Sequence, residues 1–272
     1  MYITDNETKK ALLIFTDIFS GAASNSHISR SALQEKSAEA LKEIEEKELQ
    51  SLVETIFLKP LSSLRFRIAK ENPATLVGSG QLEKIAQAIE EEGADLVVFN
   101  SAVSPRIQRN LEAALNTCVI DRSEVIIQIF ADRAQTREAV LQAELARLEY
   151  SMPRLTRWTS LAQQRGGAKG TRELPEVRVK KLELDRRRLK TEIAKLKKEV
   201  ERVRLQRSEQ RKTRLNGDKK IGAIVGYTNA GKSSLLKKLS GAEVFTEDKL
   251  FATLDAETRK VFTNGRKNIQ IY

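Results

Sequence analysis

Residues 221–234 read Ile-Gly-Ala-Ile-Val-Gly-Tyr-Thr-Asn-Ala-Gly-Lys-Ser-Ser, an apolar run that stops on a glycine and continues as Gly226-x-x-x-x-Gly231-Lys232-Ser233. No other stretch restricts the fold as strongly. A strand that ends in a glycine-rich loop and restarts as a helix aims backbone N–H groups and a positive helix end at one point, where a di- or triphosphate fits. The pattern predicts a strand over Ile221–Val225 and a helix over Ser233–Leu239. Within it Lys232 is assigned to the β- and γ-phosphates, the Ser233 hydroxyl to Mg²⁺ and Ser234 to the α-phosphate. Gly226, Tyr227, Thr228, Asn229, Ala230 and Gly231 complete the loop. An ordinary strand–helix turn is the plain alternative, disfavoured by the flanking strand and helix patterns.

Downstream, Leu250-Phe251-Ala252-Thr253-Leu254-Asp255 places a threonine 20 residues after Ser233. That is a usual distance for a switch threonine whose hydroxyl completes Mg²⁺ coordination when a γ-phosphate is present. Phe251, Ala252, Thr253, Leu254 and Asp255 therefore join the nucleotide-contacting set, and Ser233 and Thr253 become the metal ligands. A loop or helix-capping threonine is the alternative. Val261-Phe262-Thr263 and Ile269-Gln270-Ile271-Tyr272 flank Asn264-Gly265, a hairpin-turn signal that predicts two antiparallel strands. A full core of this class also needs an Asp-x-x-Gly turn and an Asn-Lys-x-Asp. Neither occurs in the 39 residues after Ser233, so the expectation is the first part of such a core only.

Charge is the second constraint, because it is concentrated. Residues 178–220 hold 18 Lys and Arg against 7 Asp and Glu, a net of +11 that equals the formal net charge of the whole chain. A basic stripe beside a nucleotide loop suits nucleic-acid phosphates. A solvated helix face is the alternative, although such faces usually mix signs. The stripe also carries heptad order: Leu182, Leu189, Leu196 and Val203 are seven apart, with Ile193 and Val200 between them. Upstream, Leu141, Leu145, Leu148, Met152 and Leu155 repeat the three-and-four spacing across Ala139–Trp158, with a kink expected near Pro153. The two seams predict an antiparallel helical hairpin. Its tip is the glycine-broken, basic segment 163–172, which contains Arg165, Lys169 and Arg172.

The first 130 residues alternate. Ala11–Phe15, Leu64–Ile68, Leu96–Phe99 and Cys118–Ile120 read as strands, whereas Ala32–Phe57, Gln81–Glu92 and Pro105–Leu115 read as helices. Such alternation predicts a parallel sheet covered by helices. Gly78-Ser79-Gly80 lacks a third glycine and a placed lysine, so it reads as a strand–helix turn. The one cysteine, Cys118, reads as a core residue in a reducing compartment, and the one histidine, His27, has no partners for a zinc site. No apolar run is long enough to span a membrane, and Met1–Lys10 lacks the pattern of a signal peptide.

Several motifs now stand in one order. They are Leu76-Val77-Gly78-Ser79-Gly80-Gln81-Leu82-Glu83, Gln108-Arg109-Asn110-Leu111-Glu112, Val119-Ile120-Asp121-Arg122, Gln142-Ala143-Glu144-Leu145-Ala146, Leu184-Asp185-Arg186-Arg187-Arg188 and Gly226-Tyr227-Thr228-Asn229-Ala230-Gly231-Lys232-Ser233, followed by Leu250–Asp255. Over nearly its whole length the chain resembles the HflX family of ribosome-associated GTPases. The resemblance implies an α/β fold class: an N-terminal parallel-sheet α/β domain over 1–131, the helical hairpin over 132–217, and the first part of a P-loop GTPase domain over 218–272. It implies GTP and GDP as ligands, and a cytoplasmic, monomeric factor that binds the large ribosomal subunit and separates or rescues ribosomes under stress. Ribosomal RNA would meet the hairpin, with Arg165, Lys169, Arg172, Arg186, Arg187 and Arg188 as contact candidates. At the tip, Gly170-Thr171-Arg172 continues as Glu173-Leu174-Pro175-Glu176-Val177, where the family usually has Gly-Pro-Gly-Glu-Thr.

Asn229 keeps two readings. Some GTPases use an asparagine at this place to hold a monovalent cation, K⁺, between the phosphates, which makes Asn229 a catalytic candidate beside Lys232 and Thr253. A turn asparagine tolerant of positive φ is the other. Three functions are consistent with the residues: a GTP-driven ribosome factor, a ribosomal-RNA-binding module indifferent to nucleotide, and an RNA-remodelling protein that uses ATP.

Overall fold

The computed structural model describes residues 8–18, 32–155, 175–215, 220–228, 230–241, 251, 259–262 and 268–271. The chain divides into two compact units, Met1–Ile126 and Ile127–Tyr272.

The first unit is a parallel four-stranded sheet of order β2-β1-β3-β4, from β1 (Lys10–Ile18), β2 (Lys59–Ile68), β3 (Leu96–Phe99) and β4 (Cys118–Asp121). Helices α1 (Ala32–Thr55), α2 (Ser79–Glu92) and α3 (Pro105–Leu115) make the crossovers that parallel pairing demands. Ala11–Phe15 of β1 are at most 1% exposed, as expected of a parallel strand covered on both faces. On one face Leu12 and Ile14 join Phe66, Ile68, Val97, Phe99 and Val119, against Ile85 of α2 and Leu111 and Leu115 of α3.

β3 and α3 span the residues that the pattern predicted. At α3 the Ser104 hydroxyl accepts the Ile107 amide at 3.4 Å, and Pro105 fills the first turn, where its missing N–H costs nothing. β2 starts five residues earlier than its apolar pattern, at Lys59. Its register with β1 begins at Lys10↔Lys59, and its place at the sheet edge accommodates Pro60 and the polar Ser62 and Ser63. Gly78 precedes α2 and donates its amide to Gln81 Oε1 at 3.0 Å, which makes 78–80 a strand–helix turn. Cys118 is a buried free thiol. Asp121 is 2% exposed and accepts the Val103 and Glu124 amides, each at 2.9 Å, so it ties the loop before α3 and the first turn of the next helix to the end of β4.

The division between the units falls within α4 (Arg122–Arg133). In the second unit, α5 (Arg137–Ser151) starts on Thr136, whose hydroxyl accepts the Ala139 amide at 3.2 Å. The helix predicted over Ala139–Trp158 shows the kink expected near Pro153: α5 gives way at Ser151 to a 3₁₀ turn at Met152–Arg154, because Pro153 cannot donate to the helical ladder. Trp158 and the hairpin tip lie outside the described residues. Helix α6 (Pro175–Leu215) runs antiparallel to α5, with Glu149 bound to Lys197 at 2.7 Å and Glu138 Oε2 lying 2.5 Å from Arg207 Nε. Between them Leu148, Ile193 and Leu196 are buried, flanked by Leu141, Leu145, Met152 and Leu189. This is the pairing of seams that the heptads predicted.

Strands β5 (Lys220–Gly222), β6 (Arg259–Phe262) and β7 (Asn268–Ile271) form a second sheet of order β5-β7-β6. β6 and β7 pair antiparallel as expected, although the Asn264-Gly265 turn lies outside the described residues. The strand predicted through Val225 ends at Gly222. Its ladder with β7 has only the pairs Lys220↔Ile269, Ile221↔Gln270 and Gly222↔Ile271, and a strand extends only as far as a neighbour offers hydrogen bonds. His27 also lies outside the described residues. Among those described, no cluster of His, Cys, Asp and Glu could hold a metal, and no helix is long and apolar enough to cross a membrane.

Candidate functional site: the Gly226–Ser233 loop

From Gly222 the chain leaves the sheet, turns at Thr228, and enters α7 (Lys232–Ser240) through Gly231. Gly231 has φ 80°, ψ 16°, a left-handed conformation that puts a glycine at this position on backbone grounds. The first helical bond runs from the Leu235 amide to the Gly231 carbonyl at 2.9 Å, so the first turn of α7 opens onto the loop. At the other end Lys237 and Lys238 sit against the negative end of the helix, and Gly241 closes it at φ 65°.

Lys232 is folded back across the loop. Its Nζ donates to the Tyr227 carbonyl at 2.5 Å, and the Ala230 amide donates to the same oxygen at 3.3 Å. A Cβ on Gly226 would stand 3.6 and 3.7 Å from the Lys232 Cγ and Cδ. The ammonium is thus anchored by a backbone carbonyl at the mouth of an exposed loop, beside a helix start. Cation and positive helix end lie at one place, a combination that suits a polyphosphate. Ser233 is half-buried in the first turn and Ser234 is exposed.

The structure therefore brings together Gly226, Tyr227, Thr228, Ala230, Gly231, Lys232, Ser233 and Ser234. Asn229, Ala252, Thr253, Leu254 and Asp255 lie outside the described residues, as do Arg165, Lys169 and Arg172. Arg186, Arg187 and Arg188 stand exposed on α6. Arg187, Arg188 and Lys195 line a shallow groove of about 450 Å³ with Leu184, Thr191 and Glu192.

One contact has no counterpart in the sequence patterns. Phe251, at φ 56°, packs its ring edge-on against Phe130 of α4, with centroids 4.9 Å apart and planes at 81°. Phe251 lies two residues before the candidate switch threonine. No local signal announces such a pairing between residues 121 positions apart.

Gly231→Ala gives a direct test of the loop backbone. A Cβ there meets nothing within 4 Å, so the cost is purely conformational, about 1–2 kcal/mol. Amide exchange in α7 should accelerate by about 5- to 30-fold. At Gly226 a Cβ finds only ordinary van der Waals contacts, and Gly226→Ala should leave that exchange unchanged.

Comparison with known proteins places this geometry. Three family models match in succession: "GTP-binding GTPase N-terminal" over residues 43–131, "GTP-binding GTPase Middle Region" over 133–214, and "50S ribosome-binding GTPase" over 222–272. The GTPase HflX of Treponema denticola is 93% identical over 274 residues, an alignment that takes in all of this chain and 70% of that protein. The chain belongs to the HflX family of GTPases. Other HflX proteins are more distant: that of Magnetococcus marinus is 47% identical over 79% of the chain, and that of Escherichia coli 41% over 84%. The chain spans 49% and 52% of those two, about half their length. A solved GTP-binding protein from Sulfolobus solfataricus, in complex with GDP, aligns with 97% of the chain and 60% of its own at 22% identity and a TM-score of 0.42. In HflX terms, the loop described above is the start of the P-loop GTPase domain.

Proposed function

We propose that this chain is the larger part of a GTP-binding, GTP-hydrolysing factor that associates with the large ribosomal subunit, and that it separates or rescues ribosomes under stress. The observation that carries the reading is a nucleotide loop and a cationic helix in one compact unit. α6 has 16 Lys and Arg against 7 Asp and Glu over 41 residues; its apolar seam packs on α5, where Lys197 and Arg207 also bind Glu149 and Glu138, and the remaining excess of positive charge suits nucleic-acid phosphates. The ribosomal assignment is supported by the description of the family model over residues 222–272, "50S ribosome-binding GTPase".

In this reading Lys232 holds the β- and γ-phosphates, Ser234 the α-phosphate, and the backbone of Gly226–Gly231 the remaining oxygens. Ser233 and Thr253 would hold Mg²⁺, which supplies charge neutralisation between the phosphates when bound. The described part of the donor set fits that ion: Ser233 follows the phosphate lysine in the first turn of α7. Asn229 either supports a K⁺ ion or shapes the turn; equal hydrolysis rates in K⁺ and Na⁺ would remove the cation role. Arg186, Arg187 and Arg188, with Arg165, Lys169 and Arg172 of the hairpin tip, contact ribosomal RNA. The factor acts as a cytoplasmic monomer, organised as domains over 1–131, 132–217 and 218–272.

Co-sedimentation with large ribosomal subunits at moderate salt tests this. The chain should pellet more strongly with a non-hydrolysable GTP analogue than with GDP or without nucleotide. Equal pelleting in all three would make it a nucleotide-independent RNA-binding module. No pelleting would remove the ribosomal assignment.

A further inference from the structure

The end of α1 departs from the way α2, α3 and α7 close. α2, α3 and α7 hand over to Gly93 (φ 65°), Asn116 (φ 50°) and Gly241 (φ 65°), residue types that reach the left-handed region with little strain. α1 places Phe57 there, at φ 60°. The Phe57 amide donates to the Glu54 carbonyl at 3.0 Å and the Leu58 amide to the Val53 carbonyl at 3.2 Å. This paired closure normally has glycine at the position of Phe57. Val53 and Leu58, which share the second bond, are both buried, while the Phe57 side chain is left outside, the residue 73% exposed. The closure imposes the left-handed backbone, which glycine would adopt without strain, and it makes no use of the ring.

The surroundings indicate what uses it. Phe57 leads into β2, and the Lys59 amide donates to the Lys9 carbonyl at 2.8 Å, which sets Lys59 beside Lys9 and opposite Lys10 at the start of the sheet. Lys10 and Lys59 are exposed and Lys9 is half-buried; among the described residues none of the three is ion-paired. The carboxylates bonded to the starts of these strands are engaged by other groups: Asp95 accepts the Lys10 amide at 2.7 Å, and Glu92 accepts the amide and hydroxyl of Ser62. Glu54, in the turn itself, is exposed. An exposed ring followed by a cluster of unpaired lysines suits single-stranded nucleic acid, whose bases stack on aromatics while its phosphates take cations. An apolar protein partner would call for an apolar rim instead.

We propose that Phe57, with Lys9, Lys10 and Lys59, is a stacking site for an unpaired nucleotide of RNA. The site rests on the reading of this chain as an RNA-binding factor, yet its residues belong to the first compact unit and those of α6 to the second, so the two can be tested apart.

The test uses the full chain with Phe57→Gly and Phe57→Trp, and a fluorescently labelled twelve-residue oligouridine against an RNA duplex of the same length. Glycine relieves the left-handed strain, so its melting temperature should not fall and a loss of binding is not a loss of folding. Phe57→Gly is expected to weaken single-strand binding by about tenfold and leave duplex binding unchanged, with Phe57→Trp restoring it. Replacing Lys9, Lys10 and Lys59 with Gln should flatten the salt dependence of the single-strand affinity, and Glu54→Gln should tighten it. Ultraviolet crosslinking should attach uridine at Phe57. A Phe57→Gly chain that binds the single strand as well as the parent, or a parent that binds no single strand, overturns the site. If that happens while ribosomal subunits still pellet, the ribosomal reading stands alone. If single-strand binding depends on Phe57 and subunits fail to pellet, this site stands and the ribosomal reading falls.

Discussion

Replacing Lys232 with alanine should lower the affinity of the chain for GTP and GDP by about 100-fold, measured by titration with a fluorescent guanine nucleotide. The ammonium stands at the mouth of the loop, held there by the Tyr227 carbonyl. Bonds between an ammonium and phosphate oxygens are charge-assisted, each worth about 1.5–3 kcal/mol, and alanine leaves the phosphate charge to the amides alone. Far-ultraviolet circular dichroism should be unchanged, because the one hydrogen bond described for this ammonium lies within the loop itself. Arginine should not rescue the variant, since its planar fork cannot fold over the loop as a compact ammonium does. An affinity equal to that of the parent chain would remove the loop from nucleotide binding.

Replacing Arg186, Arg187 and Arg188 together with glutamine should cost at least about 100-fold in affinity for the large ribosomal subunit at 0.1 M salt. Each phosphate contact contributes about 0.9 to the slope of log affinity against log salt, so that slope should fall by about two to three units. The three side chains are exposed and make no part of the α5–α6 seam, and glutamine is a good helix former, so α6 itself should persist. Nucleotide affinity should not move. A slope that stays the same would show that these arginines are a solvated face and that the RNA lies elsewhere.

The parts of the fold that were legible are those whose cause is local. α3 could be delimited because Ser104, Pro105 and the apolar spacing after them act within one or two turns of the chain. β3 could be delimited because four consecutive apolar residues, Leu96–Phe99, are bounded by polar ones on both sides. The α5–α6 pairing was legible from two seams of equal period, and the break at Met152–Arg154 from Pro153 itself, which has no N–H to give the helical ladder. The early start of β2 was hidden because Lys59, Ser62 and Ser63 do not look like a strand until the edge of a sheet accepts them. The same holds in reverse for Ile224 and Val225, which look like a strand but among the described residues have no strand to pair with.

At the candidate site, residue types and spacing alone predicted a glycine loop running into a helix with Lys232 and Ser233 in its first turn, because such a turn is written in a short window of glycines. Charge position determined the cationic helix for a similar reason: a helix face follows from spacing. The sheet order β2-β1-β3-β4, the fold of Lys232 onto the Tyr227 carbonyl, the packing of Phe251 on Phe130 and the left-handed Phe57 were decided by tertiary structure alone. Strand order and ring packing join residues far apart in sequence, whose contacts no local period encodes. Phe57 holds a conformation that its own preferences oppose, imposed by the bonds to Glu54 and Val53 that close α1.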